Sequence, residues 1–325
     1  MKSFKVLSVA TAVMLAFTAK ANATWQEGVA AFEAKNYAKA WEEFRPLENT
    51  EDSKYFLYYM GRMAQLGLGT EKNITKALEY YYKSAQQNDS RSAVEIGSIY
   101  FSGKDFTPDY PLAKQWFQYA ASKGNPVAAY NLGVMYENGV GEPADIGKAF
   151  ENYRISADKG YSEAQKKVGL MMYEGYGTPQ DYTTAVKYLI KAADQGDTEA
   201  MMALGTGLSD TNRIGAPLNL MHAHKWFNIA AGYGTPEVRA QAVAKRDELT
   251  AKMKPEEVLA AHKLARKWHM EKTELNLAPD SPEVKKPAQV KKLKEEPKEE
   301  KTYYVPDILD DDDEMSLMPA VMPAF

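Results

Sequence analysis

Cysteine is absent from the 325 residues, which removes disulfides, thiolate metal ligands and a cysteine nucleophile together. Histidine is scarce, with four in the chain. His222 and His224 lie two apart on a helical stretch and so point to different faces. His262 and His269 share a face but have no third ligand near them in sequence. No metal site is expected. The net charge of −4 is mild, and the clustered basic surface that nucleic acid calls for is missing, so no nucleic-acid partner is expected either. Asp310 to Glu314 is an unbroken acidic run without the glycine turn and spaced ligands of a calcium loop. With no Ser-His-Asp arrangement, nucleotide loop or paired-carboxylate motif in view, neither an enzyme nor a cofactor is expected. Long apolar runs are lacking too. The stretch Val6 to Phe17 is closed by Lys20, short of the ~20 residues that cross a membrane.

That stretch has Lys2 and Lys5 before it and Ala21-Asn22-Ala23 after it, the pattern of a cleavable signal peptide over residues 1–23. A mature chain beginning near Thr24 is expected in the bacterial periplasm or secreted, with no integral membrane segment after cleavage.

What the sequence has in abundance is a period. Gly61, Gly97, Gly133, Gly169 and Gly205 stand 36 residues apart. Six residues after the first four come Gly67, Gly103, Gly139 and Gly175, and sixteen after come Ala77, Ala113, Ala149 and Ala185. A fixed period of this size marks stacked supersecondary units. Each unit reads as two helices. The first carries apolar pairs such as Ala129 and Leu132 before its glycine. A helical glycine costs about 1 kcal/mol against alanine, so its return in every unit indicates close approach of a neighbouring helix. Asn73, Asp109, Asp145, Asp181 and Asn219 stand where an N-cap should open the second helix. Asn88, Gly124, Gly160, Gly196 and Gly234 close it as residues that tolerate a left-handed cap, and Pro126 and Pro236 open the next.

Residues 24–51 read as an N-terminal capping pair. Five units follow over 52–235, at 52–88, 89–124, 125–160, 161–196 and 197–235, with Thr211 and Pro217 disturbing the last loop. Residues 236–275 read as two capping helices broken at Met253-Lys254-Pro255, with a polar stripe that includes Arg239, Lys245, Glu248 and Arg266. Residues 276–325 hold seven basic and twelve acidic residues. Their Lys/Glu/Pro-rich composition over Pro279 to Lys301 predicts a disordered tail.

The copy Ala129, Leu132-Gly133, Tyr136, Gly139, Gly141, Asp145, Lys148-Ala149, Tyr153, Ala157, Gly160 resembles the unit of the Sel-one-like repeat family, relatives of tetratricopeptide repeats. The resemblance implies an all-α fold, a right-handed α-solenoid of stacked helix-turn-helix repeats, used as a non-enzymatic scaffold or adaptor of the bacterial cell envelope. It also implies that the first helices line a concave face. By analogy with tetratricopeptide repeats, the positions facing outward there include Tyr55, Tyr58, Arg62, Arg91, Phe101, Tyr130, Glu137, Lys166, Tyr173 and Glu199, together with Leu170, Met202 and Thr206. Tyrosine and arginine on such a surface suit recognition of a protein or peptide, although the same tyrosines could pack between repeats. An alternative is a peptidoglycan- or glycan-binding or processing factor, with tyrosines stacking on sugars. The apolar end, Leu317, Met318, Val321, Met322 and Phe325, reads either as an inert terminus or as a docking segment on a tether. Such a segment could engage a partner, or fold back into the chain's own concave face.

Overall fold

The computed structural model describes residues 25–48, 53–210 and 218–277, except for the side chains of residues 54, 55 and 273–277. The expected signal peptide, the loop from Thr211 to Pro217 and the tail from residue 278 lie outside the described residues. Every described element is helical. Helix α1 covers residues 25–33, followed by α2 (Tyr37–Phe44) and a short 3-10 turn (Arg45–Leu47). The five repeat units supply α3 (Lys54–Leu66) and α4 (Ile74–Gln86), α5 (Ser90–Ser102) and α6 (Tyr110–Ser122), α7 (Pro126–Asn138) and α8 (Ile146–Asp158), α9 (Ser162–Glu174) and α10 (Tyr182–Asp194), and α11 (Thr198–Ser209) and α12 (Leu220–Tyr233). Helices α13 (Pro236–Thr250) and α14 (Pro255–Leu277) close the chain, the last running two residues beyond the boundary read from sequence. The described residues form two compact units, one up to Lys123 and one from Gly124. Within each, helices stack as adjacent pairs, the α-solenoid arrangement.

Each pair is closed by one contact. A Cβ built on Gly61 would stand 2.5 Å from the Tyr81 ring, on Gly97 2.7 Å from Phe117 and on Gly133 2.6 Å from Tyr153. On Gly169 it would stand 2.7 Å from Leu189, and on Gly205 2.5 Å from Phe227. The neighbour that the periodic glycine admits is therefore a large side chain of its own second helix. All five of these side chains are buried. The rings fill the space that a methyl group would need, and interiors have no slack to supply it.

The turn between paired helices is held by the cap residue twice. Side-chain oxygens of Asn73, Asp109, Asp145, Asp181 and Asn219 accept from the backbone N–H three residues on, at 2.8 to 3.0 Å. The backbone N–H of the same residues reaches back to Ala64, Tyr100, Tyr136, Met172 and Leu208 carbonyls at 2.8 to 3.0 Å. The fifth unit keeps both bonds although its insertion lengthens the span. Asn88, Gly124, Gly160 and Gly196 have φ between 65° and 94°, as expected of left-handed caps. Gly234 does not, with φ −72°. Glycine is needed there for close approach, since a Cβ would lie 2.6 Å from Val238 Cγ1.

The N-terminal pair packs through Phe44, which is buried and stacked on Phe56 and Tyr59. At the other end α13 and α14 both pack on α12. Trp268 meets Trp226 edge to face at 6.2 Å, and its indole Nε1 donates to Asp194 Oδ1 at 2.7 Å, 74 residues earlier. Arg239, Lys245, Glu248 and Arg266 of the expected polar stripe are exposed.

His224 is fully buried beneath this cap. Its Nε2 lies 3.1 Å from Thr250 Oγ1, and its ring meets that of His262 edge to face at 5.1 Å. Burial, with smaller contributions from His262 and Arg246, pushes its imidazole down to about 4, Asp247 opposing.

Two predictions follow from this packing. Gly133→Ala should lower stability by about 1–3 kcal/mol through overpacking against Tyr153, despite alanine's better helix propensity, read as the urea unfolding midpoint. For His224, the folded state holds fewer protons than the unfolded state between the lowered value and the ordinary histidine value of ~6.5. Stability is therefore present above that window and lost as pH falls through it, by about 2 kcal/mol from pH ~7 to ~5. Urea midpoints at the two pH values should differ accordingly, and His224→Gln should flatten the difference.

Candidate functional site

In the first compact unit the sequence-chosen residues meet one another. The Arg91 guanidinium lies 4.3 Å from the centre of the Tyr58 ring and pairs with Asp89 at 2.7 Å. Arg62 Nη1 donates to the Tyr58 hydroxyl at 3.3 Å and stands 3.8 Å from Glu95. Burial pushes the Glu95 carboxyl up, and Arg62 partly offsets that. These contacts tie α3 to α5 across the repeat boundary. Phe101 packs edge to face on Tyr110 at 5.9 Å and tilted on Phe117 at 6.4 Å. The side chain of Tyr55 lies outside the described residues.

In the second unit Tyr130 packs between Tyr153 and Tyr161, with ring centres 5.2 and 5.3 Å away. Glu137 accepts from the Tyr153 hydroxyl at 2.7 Å and from Lys167 at 2.8 Å. Lys166 bridges to Asp197 at 3.1 Å and Glu199 at 2.6 Å. Tyr173 corrects the expectation of an outward residue. It is buried, with its hydroxyl 3.4 Å from the Gly207 carbonyl and its ring against Tyr182. In the first three units the residue four after the register glycine faces the residue twenty after it. Tyr81 and Tyr153 donate there to Gln65 and Glu137 at 2.7 Å, and Phe117 meets the apolar Phe101. In the fourth unit Tyr173 lies instead over Gly207, where a Cβ would stand 3.0 Å from its ring.

What remains open on this face is a groove of about 610 Å³ built by three successive first helices. Helix α9 contributes Leu170, Tyr173 and Glu174, and α11 contributes Met202, Ala203, Thr206 and Gly207. Helix α13 contributes Gln241, Ala244, Lys245 and Glu248, while Leu189 lies at the floor. Leu170 is 38% exposed, an apolar side chain held in water beside the partly buried Met202 and Ala203. Charged residues stand at the rim, where Lys245 is 3.9 Å from Glu248. Of the outward positions read from the register, Leu170, Tyr173, Met202 and Thr206 line this groove, while Tyr58, Tyr130, Arg62 and Arg91 make ring or ion-pair contacts and keep part of their surface exposed. The α13 side was missed because Val243 stands where the register glycine would be, which hides a sixth first helix. A smaller hollow of about 400 Å³ lies between α3 and α5, lined by Leu66, Lys72, Ile99, Lys104 and others.

Among the described residues no group of three His, Cys, Asp or Glu is placed to hold a metal ion, and no helix is long and apolar enough to cross a membrane.

A repeated helix pair, a stacked core and an open groove on the first helices define a helical-repeat scaffold. The chain belongs to the Sel1 repeat family, whose pattern matches residues 55–89, 90–125, 126–161, 162–197 and 198–232. Proteins built from Sel1 repeats are generally protein-interaction scaffolds. The chain is similar to a Sel1 repeat protein from Oxalobacter formigenes, with 26% identity over 74% of this chain and 98% of that one and a TM-score of 0.60. Similarity extends to the protective antigen c5321 of uropathogenic Escherichia coli, which has an SLR fold, at 20% identity over 85% and 66% of the two chains and a TM-score of 0.43. It extends also to the immunity protein Pa5087 from Pseudomonas aeruginosa, at 18% identity over 71% and 82% and a TM-score of 0.41. A search of curated proteins gives no match.

The division between packed tyrosines and open groove makes opposite forecasts for two substitutions. Tyr130→Ala should cost about 1–3 kcal/mol because its ring fills space between two others. Leu170→Asp, at an exposed position, should change stability by less than about 0.5 kcal/mol. Paired urea titrations check both.

Proposed function

We propose that this chain is a non-enzymatic protein–protein interaction scaffold of the bacterial cell envelope, holding a partner protein or peptide on its first-helix face. The observation that carries the reading is the groove across α9, α11 and α13, with Leu170 exposed in it. A concave, largely apolar surface of this volume with a few polar groups at its rim is the usual form of a specific binding site. Beneath it α11 is held by the Gly205–Phe227 contact and α9 by the Gly169–Leu189 contact, which lowers the ordering that binding has to supply.

The envelope assignment rests on the N-terminal pattern of Lys2, Lys5, the apolar stretch and Ala21-Asn22-Ala23. That pattern supports a mature chain in the periplasm, or secreted. A glycan-binding role draws on aromatic surface, and Tyr58, Tyr130 and Tyr173 are engaged in packing, which favours the protein partner over peptidoglycan.

The purified chain should capture a protein from envelope extract, and Leu170→Asp should reduce that capture at least tenfold while circular dichroism stays unchanged. Retention of the chain on purified sacculi, unaffected by Leu170→Asp, would overturn the reading. Mass spectrometry of the chain recovered from a periplasmic fraction should give an N-terminus near Thr24.

A further inference from the structure

We infer that the groove between α9, α11 and α13 is occupied, in the chain's own resting state, by its apolar segment Met315–Phe325. This deepens the proposed function and rests on the same face being a binding surface. Three observations point to this occupant. The first is chemical. The groove offers exposed Leu170 beside Met202, Ala203 and Ala244, and residues 315–325 are uncharged, with Leu317, Met318, Val321, Met322 and Phe325 as anchors. Methionine on both sides suits a site that fills by adaptable packing. The second is the boundary of charge. Asp310 to Glu314 directly precedes the segment, and Glu174 and Glu248 stand at the groove rim. The carboxylates of the acidic run would lose hydration in an apolar groove, so the point where charge stops sets how much of the chain can enter. Pro319 and Pro323 disfavour a helix, and the segment would lie along the groove extended.

The third is reach. From the end of α14 at Leu277 to Met315, a Lys/Glu/Pro-rich spacer of 37 residues spans about 30–36 Å root-mean-square as a flexible coil. Helix α14, with 23 residues, is itself about 35 Å long. The spacer therefore covers a distance as long as the last helix of the same unit. A tether of that kind gives an effective concentration approaching the millimolar range, so even a weak apolar fit is largely occupied in cis. An external partner would have to displace the segment, which would make the face selective for ligands that bind better than the chain's own end.

The test uses a fluorescent peptide of residues 311–325 and two forms of the chain, full length and lacking residues 303–325. Anisotropy should show micromolar binding to the truncated form and at least tenfold weaker binding to the full chain. Leu170→Asp in the truncated form should weaken binding at least tenfold with its circular dichroism unchanged, and Met202→Gln provides a second groove variant with the same expectation. Equal affinity for both forms, or no binding to the truncated form, overturns the inference. So does a full-length chain whose mass doubles with concentration and reverts on deletion, because the segment then docks into a second copy. If the peptide fails but envelope protein is still captured through Leu170, this inference falls and the proposed function stands. If both fail, the face is not a binding surface.

Discussion

The structure depends on the contact between the periodic glycine of each first helix and the large side chain of its second helix. Glycine in mid-helix is a local loss, since it exposes backbone and adds unfolded-state freedom. The loss is offset because the missing Cβ lets two helix axes approach until a large side chain lies against the backbone of the other. The same contact recurs five times at 2.5 to 2.7 Å from the absent methyl position, so the helix pair is a rigid part of fixed geometry. Within each compact unit, stacking such parts sets where its first helices stand.

Once the ring position is set, the residue four after the glycine in the first three units meets the ring and matches its tip in polarity. Gln65 and Glu137 accept from tyrosine hydroxyls, and Phe101 meets a phenylalanine. A buried tyrosine hydroxyl without an acceptor would cost a desolvated polar group, so these choices answer an internal demand. Arg62 and Arg91 are held by a similar logic, with the Tyr58 ring between their donors and Glu95 and Asp89 as counterions. The groove shows the exposed Leu170 and Thr206 beside the partly buried Met202 and Ala203.

The fold was legible because it is written in local chemistry repeated with a period. The caps at Asn73, Asp109, Asp145, Asp181 and Asn219, the proline starts at Pro126 and Pro236 and the glycine register all act within a few residues, where sequence spacing maps directly onto geometry. Gly234 shows where that mapping weakens, because glycine answers two different needs and the sequence does not say which. The site was legible only in part. Its outward positions on α9 and α11 follow from the register, yet Tyr173 turns inward over Gly207, which has no Cβ to keep the ring out. The third wall was hidden, since α13 lacks the register glycine and reads as a polar shield. The first miss comes from a contact with the next repeat, where the missing Cβ of Gly207 decides the outcome, and the second from a helix that lacks the register residue.

The bond from Trp268 to Asp194 has a consequence for how this end of the chain comes apart. In a stack where each repeat touches only its neighbours, melting proceeds inward from the ends, one repeat after another. Here the last helix reaches past the fifth repeat to the end of the fourth, 74 residues earlier. The fifth repeat is therefore enclosed between partners that are themselves joined. That clasp opposes its fraying, so α11 to α14 should unzip as one cooperative block, and the groove walls on α11 and α13 should be lost together.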